Sequence, residues 1–378
     1  MDQQVQGGNF NQFSKYFLDA LLGKGNPWQN ETIREASVRK KADNSNACIT
    51  PIHVACINPD IGPLAALYTA CPDIGVLDQQ HWKMVHYAAA CVEVGPIEFL
   101  KKQGANLEDI TKTHLTPLMI ACRAGRHKTV KYILDQLSER DTDEESYMVK
   151  KFGRGGVNKP GKDSWSPLHL AVANGSYEVV KVLLDFGADA NRPLNTTYDK
   201  MTPLMLAAAN GDLELVKLLT RKAKIQKTDR YRRTALTHAV INGSANVASY
   251  LLSRGADPNS VDSSRNSNLH YACAYGWWFC MQILLDVGAD ANHKNEWNLT
   301  PLSVAFLKGN KGIGKFLAEL PGVDIEVRDD KGRTLLLNML EDNGDELGKD
   351  KVNEIIAFVN DHKADPNAVD NKKRNALF

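Results

Sequence analysis

The apolar positions of this chain keep changing their period, and the stretch Ser166 to Asn191 contains one whole cycle. Ser166 can accept from the amides of a helical first turn, and Pro167 follows at the first helical position, where a missing N–H costs nothing. Leu168, Leu170 and Ala171 make the apolar face of a short helix, which Gly175 ends in the left-handed conformation. Val179, Val180, Leu183 and Leu184 then recur at helical spacing and predict a second amphipathic helix, stopped at Gly187. Asp189 and Asn191 favour a turn through side-chain bonds to the backbone. Two helices this short cannot bury their apolar faces alone, so the unit requires copies of itself on either side.

The equivalents of Leu168 are Ile52, Val85, Leu118, Leu204, Leu236, Leu269, Leu302, Leu336 and Leu377. Successive intervals are 33, 33, 50, 36, 32, 33, 33, 34 and 41, and six of these nine lie within one residue of 33. The openings read Thr50-Pro51-Ile52-His53 in repeat one, Thr116-Pro117-Leu118-Met119 in repeat three and Thr202-Pro203-Leu204-Met205 in repeat five. Repeat seven opens with Ser267-Asn268-Leu269-His270 and repeat eight with Thr300-Pro301-Leu302. Repeat two, Lys83-Met84-Val85-His86, lacks both the capping Thr and the Pro. In its opening motif, period and helix-loop-helix-turn reading, the chain from roughly residue 45 onward resembles the ankyrin-repeat family. The resemblance implies an all-α solenoid of helix-loop-helix units with short β-turn fingers between them. It also implies that His53, His86, His169 and His270, at the fourth motif position, are held by backbone hydrogen bonds between neighbouring units.

Residues 1–48 stand outside the repeat. Phe10, Phe13, Phe17 and Leu21 share one face of a helix, expected to cap the first repeat; a partner-binding helix is the alternative. Repeats one to three occupy 49–135, and the interval of 50 reflects a charged insertion over 136–164. It carries an acidic run (Glu139, Asp141, Asp143, Glu144, Glu145) and then a basic, Gly-rich one (Lys150, Lys151, Arg154, Lys159, Lys162). Such a segment buries little apolar area and is expected to be mobile unless a partner holds it. Repeats four to eight span 165–329. Repeat nine, over 330–374, is degenerate: Asn338 replaces a small core residue and an acidic insertion follows near Glu341 to Glu346. Residues 375–378 read as the first turn of a tenth repeat, so a longer protein is expected.

Composition removes several classes of function. Lys and Arg total 46 against 45 Asp and Glu, a net charge of +1, which gives no global steering toward nucleic acid or an acidic membrane. No apolar stretch reaches the roughly 18 residues of a membrane span. Of seven cysteines, Cys56, Cys122 and Cys273 directly follow the core alanine of a first helix and read as reduced packing residues of a cytosolic or nuclear protein. No CxxC spacing suggests zinc. Gly156 to Lys162 and Gly309 to Lys315 imitate a phosphate-binding loop, but Asp163 and Phe316 stand where the magnesium-binding hydroxyl belongs. No HExxH, GxSxG or paired-carboxylate motif appears. We therefore expect no cofactor, no metal, no catalytic residue and no small-molecule substrate in this segment.

Binding surface is the better place to look. In the family, finger residues line the concave face, and the position before the capping Thr or Ser varies there. Here it reads Trp82, Leu115, Trp165, Met201, Arg233, Asn266, Leu299, Arg333 and Arg374. The first four are large and apolar, a composition suited to contact hot spots, unless each ring lies flat on its own finger. Trp297 sits on another finger. Between repeats five and six the expected Gly-Ala-Asp becomes Lys222-Ala223-Lys224, which with Arg221, Lys227, Arg230, Tyr231, Arg232 and Arg233 makes a local basic patch. It suits an acidic protein surface or a phosphate group, or is a solvated loop. In repeat seven, Tyr275, Trp277, Trp278 and Phe279 cluster at a helix start, with Phe279 replacing a Glu expected to face water. They make either an exposed contact patch or extra core filling against repeat eight.

The expected function is a protein-interaction scaffold with several protein partners in a large cytoplasmic or cytoskeletal assembly. The alternative is the targeting region of a longer enzyme, since ankyrin-like arrays accompany kinases and poly(ADP-ribose) polymerases. A transcription regulator would need a nuclear localisation cluster, and Arg39-Lys40-Lys41 is too short to supply one.

Overall fold

The computed structural model describes residues 50–78, 81–139, 152–341, 356 and 358–375. The expected helix through Phe10 to Leu21, most of the acidic run of the long insertion and the acidic stretch after Glu341 lie outside the described residues. The chain divides between Asp189 and Ala190 into two compact units.

Among its described residues the first unit contains four helix pairs. These are α1 (Pro51–Ala55) with α2 (Ile61–Ala70), α3 (Met84–Ala90) with α4 (Gly95–Lys102), α5 (Pro117–Arg123) with α6 (His127–Ser138), and α7 (Pro167–Ala173) with α8 (Tyr177–Asp185). Repeat four forms as its sequence predicts. Ser166 Oγ accepts from the His169 amide at 3.4 Å, and Pro167 opens α7. Gly175 and Gly187 end the two helices at φ 73° and 85°, where a Cβ would be strained. Leu168, Val179, Val180, Leu183 and Leu184 are buried, each stabilising the stack by about 1.5–3 kcal/mol. First helices pack on first helices (α3 on α5, α5 on α7) and second on second (α2 on α4, α6 on α8). Repeat two manages without its cap. Lys83 donates its backbone amide to His86 Nδ1 (2.9 Å) and its Nζ to Asp109 (2.9 Å) on the next finger.

The long insertion is only partly extraneous. Helix α6 runs to Ser138, and from Phe152 the chain rejoins the repeat frame. Val157 is fully buried. Asn158 donates to the Gly187 carbonyl (3.2 Å) and accepts from the Asp189 amide (2.8 Å). The expectation of a mobile segment therefore fails from Phe152 onward, because Val157 and Asn158 take the places of ordinary finger residues. Its described residues contact neighbouring repeats, including a Lys159–Glu108 pair at 3.7 Å.

The second unit holds α9 (Pro203–Ala209) with α10 (Leu213–Leu219), α11 (Ala235–Ile241) with α12 (Ala245–Ser253), α13 (Asn268–Tyr275) with α14 (Trp278–Asp286), α15 (Pro301–Leu307) with α16 (Lys311–Glu319), and α17 (Leu335–Glu341). First helices again stack in order from α9 to α17. The fingers repeat one device. A buried Asp or Asn at 229, 262, 295, 329 and 370 donates its amide to the carbonyl four residues on. Its Oδ1 accepts from the amides two and four residues on, at 2.7–3.0 Å. This satisfies buried backbone donors in a loop too short for a sheet. Asn338, the odd core residue of repeat nine, is buried and bonds Asp329 of the same device.

Candidate functional site

The apolar finger residues are positioned by their own hairpins. The carbonyls of Trp82, Leu115, Trp165 and Met201 accept from Asp78, Thr111, Gly161 and Leu194 at 2.8–3.0 Å. All four side chains are half-buried. Trp82 lies 5.4 Å from Tyr87 and 6.1 Å from His86, and Trp165 lies 6.1 Å from His169. Both indoles thus rest against the first helix of their own repeat and keep one part open. Met201 belongs to the second unit, the other three to the first.

The basic finger is less free than its sequence suggests. Arg233 Nε binds Asp229 at 2.7 Å, and its Nη2 lies 3.3 Å from Asp199. Arg230 is 3.9 Å from Asp199 and donates to the Thr196 carbonyl (3.2 Å). Lys227 donates to the Asn191 carbonyl (2.6 Å), and the Lys222 carbonyl and Lys224 amide are bridged by the Asn191 side chain. Tyr231 sits among these cations, with the Arg230 and Arg233 guanidinium carbons 4.9 and 4.8 Å from its ring centre. Burial by itself would raise the Asp229 carboxyl. Bonds from His238 (3.1 Å), the Arg233 amide and the Arg233 guanidinium outweigh burial and hold its pKa below the usual carboxylate value. The acidic counterpart Asp199 comes from the preceding finger, which is lengthened by a short 3-10 turn at Thr196–Tyr198. The side chains of Arg221, Lys222, Lys224 and Arg232 remain exposed.

The four aromatics of repeat seven separate into different roles. The Trp277 indole covers Gly243 of the preceding repeat, where an added Cβ would meet the ring at 2.7 Å, and its Nε1 donates to the Ile241 carbonyl (3.1 Å). Ser176, Ser244 and Asn310 occupy the same place over Gly125, Gly211 and Gly276. Trp277 is thus an enlarged version of an inter-repeat staple. Trp278 packs 5.0 Å from Phe316 of repeat eight and is 36% exposed. Phe279 is 71% exposed. Tyr275 is 54% exposed and stacks on Tyr271 of the same helix at 6.5 Å and 7°.

Tyr275 and Trp297 come together. With Tyr271, Leu299, Leu307 and Lys308 they line a groove of about 480 Å³ between the fingers and the first helices of repeats seven and eight. Trp297 is 46% exposed, and its amide is fixed by Asn295 Oδ1 (3.0 Å). The floor is rigid. His270 Nδ1 lies 2.8 Å from Ser267 Oγ, and Nε2 bonds the Leu299 carbonyl (3.0 Å) of the next finger. Burial lowers the His270 pKa to about 4, so the ring is neutral and structural at neutral pH. His53 and His86 make the same inter-repeat bond, to the carbonyls of Val76 (3.2 Å) and Asp109 (3.1 Å). Sequence reading missed Tyr271, Leu307 and Lys308 as groove residues. The available signal was helical spacing, since Tyr271 is one turn from Tyr275 on the side that faces the finger.

Cys56, Cys122 and Cys273 are buried, and burial pushes their thiols far above the ordinary range, as suits packing residues. Among the described residues no cluster of three or more His, Cys, Asp or Glu side chains could hold a metal. Among them also, no helix is long and apolar enough to cross a membrane.

Stacked helix pairs, projecting fingers and a groove between them define an all-α repeat solenoid, a class that presents extended concave surfaces to other proteins. A family model of ankyrin repeats in three copies matches residues 52–146, 97–193, 168–262 and 260–329, and the chain belongs to the ankyrin-repeat family. It is similar to the poly [ADP-ribose] polymerase tankyrase of Caenorhabditis elegans, 35% identical over 351 residues, covering 91% of this chain and 15% of that protein. A B-cell lymphoma 3 protein homolog of Mus musculus is 37% identical over 261 residues, 68% of this chain and 48% of the relative. The ankyrin repeat and KH domain-containing protein mask-1 of Caenorhabditis elegans is 29% identical over 240 residues, 62% and 8%. The chain therefore spans less than half the length of each of these relatives.

Proposed function

We propose that this chain is a protein-interaction module that receives an extended peptide segment of a partner in the groove of repeats seven and eight. The observation that carries this is the convergence of Tyr275 and Trp297, from a first helix and a finger, over a cavity of about 480 Å³ with a hydrogen-bonded floor. That size lies within the roughly 300–1,000 Å³ of ligand sites in general. Side chains held open by rigid backbone lose little entropy on binding, so their contacts convert to affinity efficiently. The exposed basic side chains and Phe279 offer secondary contacts, which fits a scaffold that gathers several proteins in a cytoplasmic or cytoskeletal assembly. The test is crosslinking of the 378-residue chain, carrying a photoreactive residue in place of Leu307, in extract. Partners that crosslink at that position, and are lost with Trp297→Ala, support the reading; crosslinks insensitive to Trp297→Ala overturn it.

A second reading is favoured by one observation, the similarity over 351 residues to a protein named a poly(ADP-ribose) polymerase. In it the array selects targets for a catalytic domain of a longer polypeptide. Assay of the protein immunopurified from its source organism for ADP-ribose transfer from NAD to itself separates the two readings, and no incorporation above background removes the second.

A further inference from the structure

Building on the reading of the groove as a peptide site, we infer that its preferred occupant carries an apolar or aromatic side chain with an acidic residue close by in sequence, rather than a cationic anchor. The lining decides this. Tyr275, Trp297, Leu299 and Leu307 present apolar surface, and Lys308 stands exposed at the edge. Lys308 forms no ion pair with any described residue and is, among the described lining residues, the one Lys, Arg, Asp or Glu. Among the described residues no carboxylate lines the cavity.

Asp262, which accepts from the lining Tyr271, is already saturated. Its Oδ1 accepts from the amides of Ser264 (2.8 Å) and Asn266 (2.7 Å). Its Oδ2 accepts from the Tyr271 hydroxyl (2.7 Å) and the Asn266 side chain (3.0 Å). Glu296, on the same finger as Trp297, is exposed and lies outside the lining. A guanidinium or ammonium entering the groove would lose hydration with no carboxylate to replace it. The ring faces of Trp297 and Tyr275 would return only about 0.5–2 kcal/mol, and Lys308 would oppose it. An apolar side chain meets none of these penalties, and a carboxylate beside it reaches the Lys308 ammonium at the solvent edge. The charge complementarity is local, since the chain as a whole is close to neutral.

The experiment is selection of a displayed random seven-residue peptide library on the immobilised 378-residue chain, followed by binding of synthetic versions to the parent, Trp297→Ala and Lys308→Glu proteins. Lys308 and Trp297 are both exposed, so the variants fold, which circular dichroism checks. Peptides whose capture depends on Trp297, with an aromatic or aliphatic residue one or two positions from Asp or Glu, and a loss of about threefold or more on Lys308→Glu, support the inference. Peptides dependent on Trp297 but centred on Arg or Lys overturn it and leave the groove as a peptide site. Apolar–acidic peptides indifferent to Lys308→Glu overturn the part assigned to the acid. Selection of no peptide that depends on Trp297 overturns both the inference and the reading beneath it.

Discussion

Tyr231 and Trp297 occupy the same place on two fingers, each two residues beyond the clamp residue, Asp229 in one and Asn295 in the other. Their exposures are close, 40% and 46%. Their availability is not. Arg230 and Arg233 both hold guanidinium groups within 5 Å of the Tyr231 ring, and both are anchored toward Asp199. Trp297 has Leu299 where the other finger has Arg233, and its ring opens onto the groove. On these two fingers an exposed aromatic therefore keeps a face open only where the residue two positions on leaves it uncovered. The ion pairs of Arg230 and Arg233 with Asp199 are partly screened by solvent, so they contribute order to the finger more than stability.

The sharpest way to break the comparison is to remove the clamp that both fingers share. Asp229 accepts from two backbone amides, from Arg233 and from His238, and its carboxylate is fully buried. Asp229→Ala leaves those donors unpaired and should destabilise the second unit by about 3 kcal/mol, read by urea unfolding. The pH dependence follows the depressed Asp229 pKa. Stability from the clamp is complete above the unfolded-state value of 3.8 and is lost as pH falls below it through the lower folded-state value. The expected signature is acid unfolding that Asp229→Asn makes shallower, since an amide does not titrate. A steep, unchanged acid transition in that variant would place the sensitivity elsewhere, with Asp329 and Asp370, whose pKa values are also lowered by bonds from Arg333 and Arg374, next to be tested.

Truncating each ring isolates the difference in availability. Trp297→Ala or Tyr275→Ala should weaken peptide capture at least tenfold, a hot-spot effect of about 1.4 kcal/mol or more. Unfolding should shift by no more than about 0.5 kcal/mol, as for exposed positions generally. Tyr231→Ala should leave capture within about twofold. Equal losses at Tyr231 and Trp297, measured by fluorescence anisotropy with one labelled peptide, would sink the argument that neighbouring cations occupy the first ring.

What could be read from the residues divides along the same line. The helices and their ends were legible, because Ser166, Pro167, Gly175 and Gly187 act through local backbone geometry that each residue type dictates. The bridging of His53, His86 and His270 was legible through the repeat register. The state of the basic finger was not. Its neutralising Asp199 lies more than thirty residues upstream on a lengthened finger, and no spacing rule links it to Arg233. The contact of Trp277 was not legible for a similar reason, since its partner is a glycine surface in the preceding repeat. A signal existed in the Ser176 and Ser244 copies of that contact, which align with it.

Trp277 and Phe279 supply a smaller test of the same point, that exposure alone does not assign a role. Trp277→Ser restores the residue with which repeats four and six cover the equivalent glycines of repeats three and five, but loses the indole bond to Ile241 and its packing on Gly243. A loss of about 1–2 kcal/mol is expected. Phe279→Ser, at a position mostly in solvent, should change thermal unfolding by less than about 0.5 kcal/mol. The reverse ranking would make Phe279 part of the packing and Trp277 the contact residue.

The smallest effect probes Tyr231 directly. Arg230→Ala removes one of its two cations and a half-exposed pair to Asp199 at 3.9 Å, so stability should fall by no more than about 0.5 kcal/mol. It should not convert the finger into a second peptide site. Arg233 still lies 4.8 Å from the ring, held by Asp229 at 2.7 Å as well as by Asp199. A gain of peptide binding in Arg230→Ala that disappears on adding Tyr231→Ala would show that one cation suffices to close the ring. The position two residues on would then not be the determinant, and the lesson drawn from Leu299 and Arg233 would have to be replaced by one about the residue preceding the aromatic.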